Sequence, residues 1–332
     1  MKKNNIIAIA AIALTFTACS NDNDITTNNE GKDTPISLSV GVGELSVVTR
    51  AENTSLLTSG ELGLYITRNG EKDVLGKYLC DNEKFTASTT ATGTSWTCNT
   101  TYYWAADDAT IDYVAYHPYQ SSITGNYISW NVTSQDSGNL DLLYQNASNV
   151  ANTDSHSIDI TLGHVCSKLV VNVSKLGSEI AEGKTISSIK IGGLKAKGNF
   201  YLFADSNNGH GAGSWDPDVN PADIGMKSIT ANAGMNSTYE AILIPQTAPF
   251  TLTISLSNNS EYQLAVPEQT FAAGTCYTLT IQVGQDKVTI GNITHTTGQD
   301  VSGGNLTEQY FPAAIPCDNR RTCIAAPLAT RP

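Results

Sequence analysis

Cys19 is the residue whose chemistry is best framed by its neighbours. Lys2 and Lys3 give a positive start, and Ile6 to Ala18 form a thirteen-residue run that is apolar apart from two threonines. Thr17-Ala18 then places small residues directly before the cysteine. This is the pattern of a secretory signal of the lipoprotein type, in which residues 1–18 are removed and Cys19 becomes a lipid-bearing first residue. Phe16 stands where such signals usually carry Leu. The run falls below the roughly 20 residues that cross a bilayer as a helix, and each buried acyl methylene contributes about 0.8 kcal/mol to attachment.

Other groups could do chemistry by type but lack a matching pattern. Asp107, Asp108 and Asp112 are close in sequence, and Asp205, Asp216, Asp218 and Asp223 flank a Gly-rich stretch. Paired carboxylates serve glycoside hydrolysis, whereas Asp and Asn beside Gly ordinarily build turns. Asp205-Ser206-Asn207-Asn208-Gly209 resembles part of a calcium loop but lacks the closing Glu. After Cys19, the cysteines are Cys80, Cys98, Cys166, Cys276, Cys317 and Cys323, with no C-x-x-C among them, and the five histidines are scattered. Cys166 and Cys276 read as buried thiols, Cys317 and Cys323 as a possible local disulfide, and His117 and His164 as structural groups. Neither an enzyme nor a cofactor or metal site is expected. Exposed aromatics such as Trp96, Trp104, Trp130 and Trp215 leave open a monomeric surface lipoprotein that binds glycan.

The elements that must position these groups are strands. The chain of 332 residues is rich in Thr, Ser, Asn, Gly, Val and Ile and carries 14 Tyr, a composition suited to antiparallel sheet. Lys plus Arg total 19 against 31 Asp plus Glu, a net charge of −12 that argues against nucleic acid as a partner. Residues 19–35 have little to bury and read as a flexible leader. Ile36, Leu38, Val40 and Val42 then alternate with Ser37, Ser39, Gly41 and Gly43, a strand with one apolar face. Ile158-Asp159-Ile160-Thr161-Leu162-Gly163 repeats Ile36-Ser37-Leu38-Ser39-Val40-Gly41 in residue type, at an offset of about one sandwich domain. That repeat predicts an all-β chain of two domains, 36–150 and 151–286, with a boundary in the polar run Ala147 to His156 and a tail at 287–332. Strands are expected at 62–67, 110–116, 127–132, 168–173, 186–191, 199–203, 239–244, 250–256, 261–266 and 277–283. The stretch 204–225 reads as a long loop.

Several segments resemble the fimbrillin family, the subunits of type V pili. Tyr103-Trp104 with Ile111-Asp112-Tyr113-Val114-Ala115-Tyr116-His117-Pro118 is similar to its aromatic strand, and Asp141-Leu142-Leu143-Tyr144 to the segment before its domain junction. Leu162-x-His164-x-x-Ser167-Lys168-Leu169 resembles the opening of its second domain. Ile244-Pro245-Gln246 and Phe271-Ala272-Ala273-Gly274-Thr275-Cys276-Tyr277 resemble its closing strands. The resemblance spans residues 36 to about 295. His295 and Thr296 occupy a region where stalk subunits commonly carry Trp, and nothing beyond Glu308 matches.

The resemblance implies two tandem transthyretin-like antiparallel β-sandwiches, and a precursor anchored by lipid in the outer membrane that becomes an extracellular fimbrium when mature. It implies an arginine-specific protease that removes the first strand, Ile36, Leu38, Val40 and Val42, so that a strand of another fimbrillin subunit fills the groove. Arg50-Ala51 fits that cut, since no other Lys or Arg lies between Lys32 and Arg68. Val288, Ile290 and Ile293 are the donor strand that best fits such an exchange, with Leu306 and Phe311 as later anchors. Adhesion and biofilm formation, through host or bacterial surface ligands, are the roles it suggests.

Overall fold

The computed structural model describes residues 35–43, 54–68, 79–104, 110–123, 125–136, 139–176, 184–284, 288–296 and 322–323. Among them every regular element is a strand. In chain order these are β1 (Ser37–Gly43), β2 (Thr54–Leu56), β3 (Glu61–Arg68), β4 (Cys80–Thr90), β5 (Gly93–Thr97), β6 (Thr110–His117) and β7 (Tyr127–Asn131). There follow β8 (Leu143–Ala151), β9 (Ser157–His164), β10 (Ser167–Leu176), β11 (Ile186–Gly192), β12 (Lys197–Tyr201), β13 (Ser214–Pro217) and β14 (Ile224–Gly225). The last are β15 (Lys227–Ile229), β16 (Ser237–Leu243), β17 (Gln246–Leu256), β18 (Glu261–Phe271), β19 (Cys276–Val283), β20 (Val288–Thr296) and β21 (Thr322–Cys323).

An eight-stranded sheet, β2-β1-β9-β8-β6-β3-β4-β5, holds the amino-terminal half. Two five-stranded sheets, β15-β16-β10-β19-β20 and β14-β11-β17-β18-β21, face each other across the carboxy-terminal core. Strand alternation explains why the large sheet serves two cores. Leu62, Leu64 and Ile66 of β3 and Ile111, Tyr113 and Ala115 of β6 face a first apolar cluster. Tyr65, Val114 and Tyr116 point the other way, into the cluster of the carboxy-terminal half. A strand covered on both faces reads as a nearly continuous apolar run, and residues 111–117 of β6 are all buried.

The two matching hexapeptides are neighbours in one sheet. β1 and β9 pair in parallel, with Leu38 opposite Ile158, Val40 opposite Ile160 and Val42 opposite Leu162. Their likeness therefore reflects a shared core face, and the offset expected to mark a domain period instead brings two strands side by side. The ladder also continues into the run expected as a boundary, because β8 extends to Ala151 and β9 pairs with β8 through Leu143–His164 and Tyr144–Gly163. The strands that follow Val165, from β10 onward, build the two sheets around the second core.

Residues 204–225, expected as a long loop, contain β13 and β14. β12 and β13 form a hairpin turned by Asp205 and His210, and β12 also pairs with β7. This three-stranded sheet ties the halves together, because β7 comes from the first and β12–β13 from the second. Gly-rich composition hid the hairpin: Gly209 and Gly213 take φ of 77° and 76°, a region that favours glycine.

Candidate strand-exchange groove

β1 exposes Ser37 and Ser39 and buries Leu38 and Val40, while Ile36 and Val42 are half-buried against the same cluster. Both flanks of the strand are held. β9 supplies the parallel ladder on one side, and on the other β2 pairs antiparallel through Gly41–Leu56, Val42–Ser55 and Gly43–Thr54. Leu57 N donates to Val40 O at 3.1 Å. Beyond the end of β2, the aromatic segment 102–104 takes over. Ile36 N donates to Tyr102 O at 2.8 Å, and Pro35 bridges to Tyr103. The His156 carbonyl, just before β9, accepts from Ser37 N at 3.2 Å and from Trp104 Nε1 at 3.2 Å. β1 thus lies between β9 on one side and β2 with the 102–104 segment on the other. Tyr102 and Trp104 carry no alternation signal, and only long-range contacts reveal them as walls of this groove.

The remaining predicted site residues are placed as follows. Cys19, Arg50 and Ala51 lie outside the described residues, and Arg50 falls in the connection 44–53 between β1 and β2. The candidate donor residues form the edge of a carboxy-terminal sheet: β20 pairs antiparallel with β19, Val283 opposite Val288, Ile281 opposite Ile290 and Leu279 opposite Ile293. Val288 is buried. Leu306, Phe311 and Cys317 lie outside the described residues, and Cys323 is on β21, opposite Leu264.

The tryptophans expected as an exposed glycan surface are structural. Trp96, Trp104 and Trp130 are buried, with Trp130 Nε1 donating to Leu140 O at 3.0 Å. Trp215 packs on Phe200 with ring centroids 5.1 Å apart and donates to Val165 O at 2.7 Å. An indole has more area to gain from a core than from solvent once its single N–H finds an acceptor.

Of the candidate carboxylates, Asp112, Asp205 and Asp223 are each engaged separately. Asp112 is buried and accepts from Asn149 N at 2.9 Å. Asp205 accepts from Asn207 N and Asn208 Nδ2, bonds that hold its carboxyl below the usual range. Asp223 pairs with Lys190 at 2.8 Å, and Asp107 and Asp108 lie outside the described residues. Among the described residues no group of three or more His, Cys, Asp or Glu could hold a metal ion.

His164 Nδ1 meets Asp141 Oδ2 at 2.6 Å. His117 is buried between Glu61 O at 2.8 Å and Asn139 Nδ2 at 2.9 Å, and burial lowers its pKa. Burial pushes the Cys166 thiol up to about 12. Cys276, expected to be buried, is only half-buried.

The fimbrillin-like family model matches residues 49–297, three quarters of the sequence. The chain belongs to the fimbrillin-like family. The matched span opens beside Arg50 and leaves β1 outside it. Two solved structures share the fold. One is a proposed cell adhesion protein from Bacteroides uniformis, at TM-score 0.59 and 19% identity, with 82% of this fimbrillin-like chain and 100% of that one covered. The other is a proposed cell adhesion protein from Bacteroides ovatus, at TM-score 0.56 and 16% identity, with 80% and 99% covered. No curated protein matches the chain significantly.

Proposed function

We propose that this fimbrillin-like chain is a structural subunit of a surface fimbria that polymerises by exchange of its first strand. The observation that carries the reading is the position of β1, a strand with one apolar face that lies between β2 and β9 in the amino-terminal sheet and is followed in the chain by the segment holding Arg50. In this reading the chain is exported as a lipoprotein on Cys19 and anchored in the outer membrane. An arginine-specific protease then cuts between Arg50 and Ala51.

The physical argument concerns competition for the groove. Burying Leu38 and Val40 contributes about 1.5–3 kcal/mol each, and the ladder to β9 adds to this. While β1 is tethered, it competes at an effective concentration on the order of millimolar, so a strand of another subunit cannot displace it. Cutting removes the tether. The vacated groove then presents unpaired backbone groups and an apolar floor, which an incoming strand satisfies by β-augmentation. Residues 288–296 are the donor in this reading, since an edge strand leaves its sheet by breaking one ladder rather than two. Adhesion to host or bacterial surfaces and biofilm formation follow for the assembled fibre.

The test is the Arg50→Ala chain expressed in its own envelope. It is expected to remain a folded, lipidated monomer whose amino terminus is Cys19, while the unmodified chain yields filaments beginning at Ala51. Filaments assembled from the uncut variant would overturn the proposal.

A further inference from the structure

A cleft of about 250 Å³ opens between the β15-β16-β10 ladder and residues 135 and 139–141. At a water's share of ~30 Å³ it holds on the order of eight waters, room for a single ring and little more. Its walls are fixed in advance. The Gln135 amide clamps the backbone of Ile242, accepting from its N–H at 2.8 Å and donating to its C=O at 3.1 Å, just past the point where β15 stops covering β16. Asn139 is held by His117 and accepts from Asp141 N at 3.2 Å, and one oxygen of Asp141 is committed to His164. Lys168 is paired with Glu240, and Lys227 is exposed.

The charges of the lining decide the ligand class. Asp141 and Glu240 cancel Lys168 and Lys227, so neither a phosphate nor a polyamine gains a net field. A hydroxyl donates to carboxylate and accepts from ammonium, so a polyol uses both signs at once. Leu140 and Ile242 add apolar surface against which C–H groups can lie. We infer that this cleft binds one neutral sugar ring. The inference goes beyond the fimbrial role and is independent of cutting and strand exchange, because every lining residue belongs to the body that remains after β1.

The experiment uses the full uncut Arg50→Ala chain, so failure of assembly leaves it readable. Saturation-transfer NMR is run with the methyl glycosides of galactose, mannose, fucose and N-acetylglucosamine, with inorganic phosphate and spermidine as charged controls. One or more glycosides are expected to bind with Kd about 1 mM. Lys227→Ala and Glu240→Gln are each expected to weaken binding about tenfold, the scale of a hydrogen bond to a charged group. Lys227 is exposed, so its variant should melt with the parent and decides the matter if Glu240→Gln is unfolded. Silence from all four glycosides, binding indifferent to Lys227→Ala, or tighter binding of phosphate or spermidine would overturn the inference.

Discussion

Gly63 shows how closely single residues are specified. It faces Tyr116 across the β3–β6 ladder, and a Cβ there would stand 2.2 Å from the ring. The ring cannot yield, because Tyr116 is fully buried and its hydroxyl donates to Asn82 Oδ1 at 2.6 Å. Gly63→Ala is therefore expected to destabilise the chain by about 1–3 kcal/mol, the range for overpacking, measured by chemical denaturation. His117 gives a pH dependence at the same scale. Its folded pKa lies below the ordinary 6.5 because burial disfavours the imidazolium. The unfolded chain therefore binds the proton first, and the stability this group contributes is complete above about pH 6.5 and falls as the pH drops through the folded pKa. Melting temperatures across pH 7.5 to 5 should decline, and the decline should be shallower in His117→Gln.

At the scale of elements, β1 was legible because period-two alternation with Ser and Gly leaves one face apolar whatever the partner. Its neighbours were not. Counted from Ile36, Tyr102, Trp104 and His156 lie 66, 68 and 120 residues away along the chain, separations that no local pattern encodes. The same limit explains β4, whose Thr- and Ser-rich sequence buries only Cys80 and Phe85 and so carries no periodic signal. The resemblance between β1 and β9 was visible in the residues, yet two strands sharing a core face and two copies of a domain leave the same trace in sequence. Val40 should dominate the hold on β1, being the most buried side chain of that strand. Val40→Ala in the uncut chain is expected to cost about 1–3 kcal/mol and to raise hydrogen exchange across β1 and β2 before other strands. Uniform protection loss across both halves would show that β1 does not open separately.

For the whole molecule, the tie between halves matters more than the count of sheets. Ile128 and Trp130 of β7 enter the carboxy-terminal core, and Tyr144 donates to Leu202 O at 2.7 Å. Shared core and shared ladder predict one calorimetric transition for the intact chain, and Trp130→Ala, which removes a wall of the joint, should separate it into two. The parallel pairing of β1 with β9 has a mechanical meaning as well. Tension entering at Pro35 runs along the strand axis, across evenly spaced ladder bonds that are loaded together in shear rather than unzipped in turn. If the uncut precursor is held by lipid at its amino terminus, as proposed above, β1 would grip hardest along the direction in which flow pulls the body away from that tether.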